Sequence, residues 1–381
     1  MGYQTFPSMN RINVTKPWLP DFDDYLSILR QVWDSHVLTN TGPIHERLEQ
    51  KLQKLFACQT VSLINNGSIA LQIALQAFKL KGKVITTPFS FVATANSILQ
   101  ARLEPVFVDI QEGGFNLDPE LVYEVLDKDI CAVMPVHVYG LPCDNEGMKH
   151  AIGCSNTKLI YDAAHAFNVN QNGEAIVNWG DASVLSFHAT KVFHTFEGGA
   201  IVAPDPELKY KVQSLRSFGF VDGGDVQDCG TNGKMNEAQA AMGIALLNRI
   251  NDVIQMRKAV HDRYLGRLQG IEGIMLLNIP SGIDHNYGYF PILIEPGFPL
   301  SRDELFEAFC KKDIYTRKYF YPLITDFSLY KSFKTFSKHK ITLARRMADS
   351  VICLPLYPNL AESDVDRICD VIIQIRYRSG I

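Results

Sequence analysis

The chain has 381 residues, of which 46% are hydrophobic and 20% charged, and its formal net charge is −4. This composition is typical of a globular protein with room for two domains, and it excludes a basic surface of the kind that binds nucleic acid. Residues 1–20 lack the apolar segment of a signal peptide, no stretch approaches the length of a membrane span, and no C-x-x-C pair occurs among the eight cysteines. We therefore expect a soluble, cytoplasmic protein that keeps its cysteines reduced, acts on small molecules, and binds neither nucleic acid nor membrane.

Short β-rich runs alternate with amphipathic segments between about residues 61 and 205. This alternation predicts an α/β fold, in which a parallel sheet is covered by helices on both faces. Seven strands are expected, at residues 61–64, 84–87, 105–109, 132–138, 159–161, 183–187 and 200–202. Good helix patterns lie between the early strands, at residues 68–80, 91–101 and 119–126.

The second half of the chain reads differently. Residues 236–251 are expected to form one long amphipathic helix and residues 252–270 another, either separate or continuous with the first. Beyond them, strands are predicted at 288–294 and 352–356 and helices at 302–312 and 363–375, as in a small α+β lobe. The sequence thus predicts a large domain of residues 1–250, with an N-terminal arm, and a smaller C-terminal domain of residues 251–381. The glycine-rich tract 218–231 is expected to be an exposed loop.

Two features of the first half suggest a site for a flat, anionic ligand. Asn65-Asn66-Gly67-Ser68 stands between a strand and a helix, where free N–H groups and the helix dipole favour a phosphate. Alternatively, Asn66 or Ser68 only caps the helix. Phe91 is expected to begin the next helix, where its ring could stack on a flat cofactor or simply join the core.

Asp162 and Lys191 are the residues that point to a reaction. Asp162 ends an apolar run, at the sheet edge where parallel α/β folds keep their ligands, although it could instead cap a helix. His165, three residues later, could bond a cofactor or be a satisfied interior histidine. Lys191 follows Ser186 by five residues within an aromatic neighbourhood, which is a poor setting for a solvated surface charge.

A lysine 29 residues after an aspartate in this setting favours one cofactor. A desolvated lysine amine forms a Schiff base with an aldehyde, and an aspartate at a pyridine nitrogen keeps that nitrogen protonated. These are the two requirements of pyridoxal 5′-phosphate chemistry, which predicts that cofactor here. Since no His/Cys cluster has the spacing of metal ligands, we expect no metal.

Several motifs together resemble the DegT/DnrJ/StrS sugar aminotransferases, a family with the aspartate aminotransferase fold. They span nearly the whole chain, at residues 38–43, 66–68, 89–94, 135–140, 162–165, 186–191, 230–237 and 317–322. Two positions depart from the usual family pattern. Lys234 stands where the family usually has arginine, and His165 where it more often has glutamine.

The resemblance implies a residue assignment and an assembly. It implies pyridoxal-phosphate fold type I, with a mostly parallel seven-stranded sheet and a homodimer whose two active sites lie at the subunit interface. Lys191 would hold the cofactor covalently and Asp162 would pair with its ring nitrogen. Gly67, Ser68 and Ser186 would hold the phosphate, with Asn232 reaching it from the partner subunit. Phe91 and His165 would contact the cofactor, and the candidates for the substrate are Arg317, Tyr319, Tyr321 and the 218–231 tract.

The implied activity is transfer of an amino group from L-glutamate to a nucleotide-linked keto-sugar. Residues 14–20 and 38–43 resemble the branch that makes dTDP-4-amino-4,6-dideoxyglucose, and the family implies a role in surface polysaccharides such as O-antigen lipopolysaccharide. Open alternatives are a 3-keto-sugar or a GDP-sugar as acceptor. More distant ones are a sugar dehydratase, in which histidine replaces the lysine, a non-catalytic nucleotide-sugar-binding relative, and an amino-acid-specific enzyme with an arginine clamp.

Overall fold

The computed structural model describes residues 11–333 and 341–378. The strands of this part are β1 Thr60–Ile64, β2 Lys83–Thr86, β3 Glu104–Phe107, β4 Ile130–Met134, β5 Lys158–Asp162, β6 Asn170–Gln171, β7 Glu174–Ala175, β8 Ala182–Ser186, β9 Gly199–Ala203, β10 Ile274–Leu276, β11 Ile283–Asp284, β12 Phe290–Ile294 and β13 Val351–Leu354. The helices of the same part are α1 Phe22–Ser35, α2 Pro43–Phe56, α3 Gly67–Ala77, α4 Ala93–Gln100, α5 Pro119–Val125, α6 Asn145–Ile152, α7 Pro206–Leu215, α8 Glu237–Leu247, α9 Ile250–Leu268, α10 Arg302–Cys310, α11 Leu343–Ser350 and α12 Glu362–Arg378.

Seven strands form the large sheet, in the order β1-β9-β8-β5-β4-β2-β3. β9 runs antiparallel to both of its neighbours, and the remaining pairs are parallel. The strands are buried along almost their whole length, because helices cover both faces of a mostly parallel sheet. In β1, for example, Leu63 packs into the core on one face and Ile64 into the core on the other. All seven predicted strands are present, with boundaries moved by a few residues.

The C-terminal part builds a second, three-stranded antiparallel sheet, in the order β10-β12-β13. Its core is shared with α9, α10 and α12. α9 belongs to both cores, since Val253 packs in the first and Tyr264 in the second. The expected boundary at residue 250 coincides with the start of this shared helix, and the division into two domains stays a prediction.

Three local predictions were wrong. The strand expected at 132–138 ends at Met134, because Pro135 has no N–H to donate, and a 3₁₀ turn follows at Val138–Gly140. The helix expected from Phe91 begins only at Ala93. The long helix expected at 236–251 stops at Leu247, and Arg249 leaves the helical region with φ −119° and ψ 9°.

The helix α8 is also not amphipathic. Residues 240–246 are all buried, so it is a core helix enclosed on nearly every side. It packs against α1 and α2, two N-terminal helices that no pattern named above predicts specifically. The 218–231 tract is mostly exposed, as expected.

Candidate active site

A cavity of about 700 Å³ lies at the carboxyl ends of the parallel strands, where the segments that follow β1, β2, β5 and β8 meet. This volume is within the usual range for a cofactor or substrate site. Eight of the residues predicted for the site line it, namely Gly67, Ser68, Phe91, Asp162, His165, Ser186, Lys191 and Tyr319. Residues that are up to 252 positions apart in the sequence are thus collected at one sheet edge, as parallel topology requires.

Lys191 reaches the cavity from the loop after β8. Its Nζ lies 3.0 Å from the hydroxyl of Tyr289. Burial lowers the pKa of Lys191 to about 8, although the carboxylate of Asp162 acts in the opposite direction. A neutral amine is therefore available near physiological pH, which is the form that attacks a carbonyl.

Asp162 is the last residue of β5, and only 4% of its surface is exposed. One carboxylate oxygen accepts a hydrogen bond from the Thr94 hydroxyl at 2.8 Å and the other from the Ala164 N–H at 3.1 Å. Burial raises the pKa of Asp162, while these two bonds and the charge of Lys191 lower it. A buried carboxylate of this kind is best stabilised by a cationic N–H partner, which fits the ring nitrogen of a protonated pyridine.

His165 is held in one orientation by the backbone. Its Nδ1 accepts a hydrogen bond from the N–H of Tyr139 at 3.1 Å, so the proton of the neutral ring is on Nε2. Burial holds the pKa of His165 well below its usual value, and the ring stays neutral. The ring stacks on Phe320, with the two planes 3° apart. His165 is therefore both a packed interior residue and a possible N–H donor at the cavity wall.

Gly67 and Ser68, which are predicted to hold a phosphate, form the first turn of α3, and Gly67 lies beside Ser186. Asn66 caps α3 by accepting a hydrogen bond from the N–H of Ile69, and so the capping interpretation is correct for that residue. The first N–H groups of the helix have no acceptor within it and favour an anion. A Cβ added to Gly67 would lie 2.8 Å from the Cβ of Ser186, so only glycine lets the two segments approach this closely.

Three predicted residues do not line the cavity in a single chain. Asn232 is exposed, and its carbonyl oxygen accepts a hydrogen bond from the side chain of Asn65. Arg317 is exposed on a segment whose backbone pairs with Cys353. Tyr321 packs instead against the guanidinium of Arg302, at 4.4 Å. Of the substrate candidates only Tyr319 lines the cavity, since Arg317, Tyr321 and the 218–231 tract do not.

Three residues of the cavity wall, Thr94, Tyr289 and Phe320, have no role predicted from the sequence. Thr94 orients Asp162, and because its single proton goes to that carboxylate, the hydroxyl of Ser90 must donate to Thr94 at 2.8 Å. Tyr289 contacts Lys191, and Phe320 stacks on His165. Thr94 could have been found from its position in the 89–94 motif. Phe320 could have been found in the same way, since it lies in the 317–322 motif, whereas Tyr289 lies outside these motifs and no local pattern predicts that it meets Lys191.

Other classes of site receive no support within the described residues. No group of three or more His, Cys, Asp or Glu side chains there could hold a metal ion. No helix in residues 11–333 and 341–378 is both long and apolar enough to cross a bilayer. The eight cysteines, all of which the structure describes, are unpaired. The predicted cytoplasmic location stays a prediction.

The fold and the site together define a class of protein. A lysine with a depressed pKa, a buried aspartate and an anion cradle meet at the edge of a mostly parallel seven-stranded sheet. This is the arrangement of an enzyme that uses pyridoxal phosphate.

The particular family follows from comparison with known proteins. The chain matches the DegT/DnrJ/EryC1/StrS aminotransferase family over residues 23–373, and it belongs to that family. The dTDP-4-amino-4,6-dideoxy-D-glucose transaminase of Shigella dysenteriae is 44% identical over 366 residues, which cover 96% of this chain and 99% of that protein. The Escherichia coli protein of the same name is 40% identical, over 95% and 98% of the two chains. The crystal structure of DesI with its TDP-sugar product superimposes with a TM-score of 0.92 at 29% identity, covering 97% of this chain and 94% of that one.

These comparisons confirm the predicted family, the fold, the enzyme class and the cofactor. The chain is an aminotransferase that depends on pyridoxal phosphate. The roles of the individual site residues remain predictions, to which the geometry above gives physical support.

Proposed function

We propose that this aminotransferase moves the amino group of L-glutamate to dTDP-4-keto-6-deoxyglucose and so produces dTDP-4-amino-4,6-dideoxyglucose. The observation that carries the proposal is the pairing of Lys191 and Asp162 in one cavity, in a chain 44% identical over 96% of its length to an enzyme named for that product. A GDP-linked or 3-keto-sugar acceptor is the alternative, and no observation favours it. The reaction would supply an amino sugar for a surface polysaccharide.

Some residues of the cavity would bind the cofactor, and Lys191 would transfer the proton. When bound, pyridoxal phosphate supplies the electron sink that makes the carbon bearing the amino group acidic. Gly67, Ser68 and Ser186 would hold the phosphate, and Asp162 would keep the ring nitrogen protonated. Phe91 would cover one face of the ring.

Lys191 would then act twice, as the covalent anchor and as the base. With the donor in place its Nζ is free, and it takes a proton from the carbon that bears the amino group of glutamate. In the same half-reaction Lys191 would give that proton to the cofactor carbon next to the amino nitrogen. The second half runs in reverse on the keto-sugar, and Lys191 again moves the proton. A depressed pKa suits both directions, because the amine must accept the proton and also release it.

We also propose that the active enzyme is a homodimer with shared sites. Large apolar side chains are exposed on α1 and the segment after it, at or next to the cavity lining, and in the 218–231 tract, namely Phe22, Trp33, Leu38, Phe91, Phe196, Phe218 and Phe220. Tyr25 of α1 packs edge to face on Phe196, which directly precedes the lining residue Glu197, so α1 lies against the segment that borders the cavity. An exposed apolar surface of this kind marks a protein interface.

The acceptor is tested with a panel of substrates. Purified enzyme would be supplied with L-glutamate and with dTDP- and GDP-linked 4-keto and 3-keto sugars, and the amino sugar would be identified by mass and NMR. We expect product from the dTDP-linked 4-keto-6-deoxy sugar, with the amino group at C4. Turnover of only the GDP-linked or 3-keto sugars would overturn the assignment.

The shared site is tested by mixing two variants. Lys191→Ala and Asn232→Ala chains, refolded or co-expressed together, form a mixed dimer with one intact site if Asn232 acts across the interface. We expect the mixture to be more active than either variant alone. If mixing brings no gain and light scattering shows a monomer, the shared site is wrong.

A further inference from the structure

One hydrogen bond joins the two halves of the chain at the reacting atom. The hydroxyl of Tyr289, in the segment just before β12, lies 3.0 Å from Lys191 Nζ, in the loop after β8. Lys191 follows a strand of the large sheet, and Tyr289 belongs to the C-terminal lobe, which also contributes Tyr319 and Phe320 to the lining of the cavity.

The ring of Tyr289 is fixed by three aromatic neighbours. Its centroid lies 4.7 Å from that of His165, 5.6 Å from that of Tyr139 and 6.0 Å from that of Tyr319. This packing leaves the hydroxyl little freedom, so it holds the amine in place rather than following it. Burial raises the pKa of Tyr289, and its hydroxyl therefore remains protonated and uncharged.

We propose that Tyr289 is a positioning residue for Lys191, and that its hydroxyl oxygen accepts a hydrogen bond from the lysine in its protonated, ammonium form. This inference rests on the proposed function. It adds a residue from the C-terminal lobe to the proton-transfer step.

The reason is that the hydroxyl does not stabilise the two forms of the lysine equally. A hydrogen bond to a charged group is roughly twice as strong as one between neutral groups. Tyr289 thus stabilises the ammonium more than the amine, and it opposes the burial that lowers the pKa of Lys191. The lysine gains one proton and one positive charge from the substrate carbon and gives up both within the same half-reaction. Nothing is oxidised or reduced at either residue.

The charged and titratable groups around the pair are few. Asp162, at the end of β5, raises the pKa of Lys191. His165, three residues after Asp162 in the chain, is neutral. On the side of Tyr289, Arg257 of α9 lowers the pKa of the phenol, and Cys353 of β13 raises it. His188 and Glu197 also face the cavity, with His188 Nε2 3.4 Å from a carboxylate oxygen of Glu197. Tyr139 and Tyr319, whose rings pack on that of Tyr289, are the other titratable groups in contact with it.

The first test uses the protein without cofactor. Wild-type and Tyr289→Phe proteins would be given brief pulses of acetic anhydride over a pH series, and the acetylation of Lys191 would be quantified by peptide mass spectrometry. We expect the acid dissociation constant of Lys191 to rise about three- to tenfold in Tyr289→Phe, with its midpoint moving to lower pH. An unchanged midpoint would overturn the proposal.

The second test uses the holoenzyme with L-glutamate and with glutamate deuterated at the α-carbon. Tyr289→Phe should lower kcat about tenfold, leave KM within twofold and increase the isotope effect, because proton transfer becomes slower. Tyr264→Phe is the matched control, since it also removes a buried hydroxyl, one that donates to the Pro355 carbonyl, without touching the cavity. An equal loss in both variants, or an unchanged isotope effect, would reduce Tyr289 to a structural role. Wild-type enzyme that does not react with glutamate would refute the proposed function, while the acetylation result would still decide whether Tyr289 controls Lys191.

Discussion

Within one chain, the side chains of the inner wall of the cavity are held by partners, whereas those of its rim are exposed or lie away from the cavity. On the wall, Asp162, His165 and Lys191 are each held by a partner from the same chain. On the rim, Phe91 is 61% exposed and Tyr321 43% exposed, and Asn232 does not reach the cavity.

This difference links the wall to the chemical step and the rim to substrate specificity. The wall is fixed by the ends of buried parallel strands, which cannot move without unpacking the core. The residues of the rim lie on exposed segments, and their side chains would find their partners in a bound sugar nucleotide or a second subunit. Substitutions on the wall should therefore reduce the rate constant, whereas those on the rim should mainly change affinity.

The strongest test of the wall is Lys191→Ala. It removes both the covalent anchor and the base, and kcat for transamination should fall by about 10³-fold or more. Loss of the cofactor's absorbance band after gel filtration, and no labelling by borohydride, would accompany it. Lys149→Ala, which removes an exposed lysine on α6, should behave as wild type. A Lys191→Ala protein that still transaminates would refute the assignment of the wall.

Asp162→Asn should have the next largest effect, lowering kcat about 10²- to 10³-fold. The amide preserves the shape and can still accept from Thr94, but it carries no charge to keep a ring nitrogen protonated. The pH dependence should also change. Since the Asp162 charge raises the pKa of Lys191, removing it should move that pKa below about 8, and the lysine should become reactive at lower pH. Acetylation of Lys191 over a pH series measures this shift, and a midpoint that moves to higher pH would contradict it.

The wall was largely predictable from the sequence, because its residues follow strand patterns directly. Asp162 ends an apolar run, and Gly67 and Ser68 stand between a strand and a helix. Parallel strands all end at one edge of the sheet, so these local patterns imply proximity in space.

The support behind the wall was less predictable. Tyr289 meets Lys191 across 98 residues of sequence, and only the packing of the C-terminal lobe on the sheet brings them together.

The prediction that helix α8 is amphipathic is wrong because small alanines among larger residues imitate a periodic pattern, although residues 240–246 are all buried. Arg317 and Tyr321 show a further limit of sequence patterns. Their motif identifies them as candidates, but within one chain they lie outside the cavity.

Thr94→Val separates orientation from charge on the wall. Valine keeps the shape but removes the hydroxyl that donates to Asp162, so the pKa of that carboxylate should rise and kcat should fall about tenfold. Because the carboxylate has to be ionised, the acid side of the kcat profile should move to higher pH. Thr94→Ser restores the donor and should recover most of the rate. If serine and valine give the same profile, the Ser90–Thr94–Asp162 chain has no part in holding the charge.

The smallest effect is expected on the rim, from Phe91→Leu. Leucine keeps an apolar contact but loses stacking, which contributes about 0.5–1.5 kcal/mol, so the Kd for pyridoxal phosphate should rise about two- to tenfold. Titration of the cofactor-free protein, followed by absorbance, measures this change, and kcat at saturating cofactor should stay within twofold of wild type. Phe327→Leu is the matched control, because Phe327 is also exposed but does not line the cavity. A fall in kcat as large as that of Thr94→Val would place Phe91 with the wall instead, and the division between chemistry and affinity would have to be redrawn at that residue.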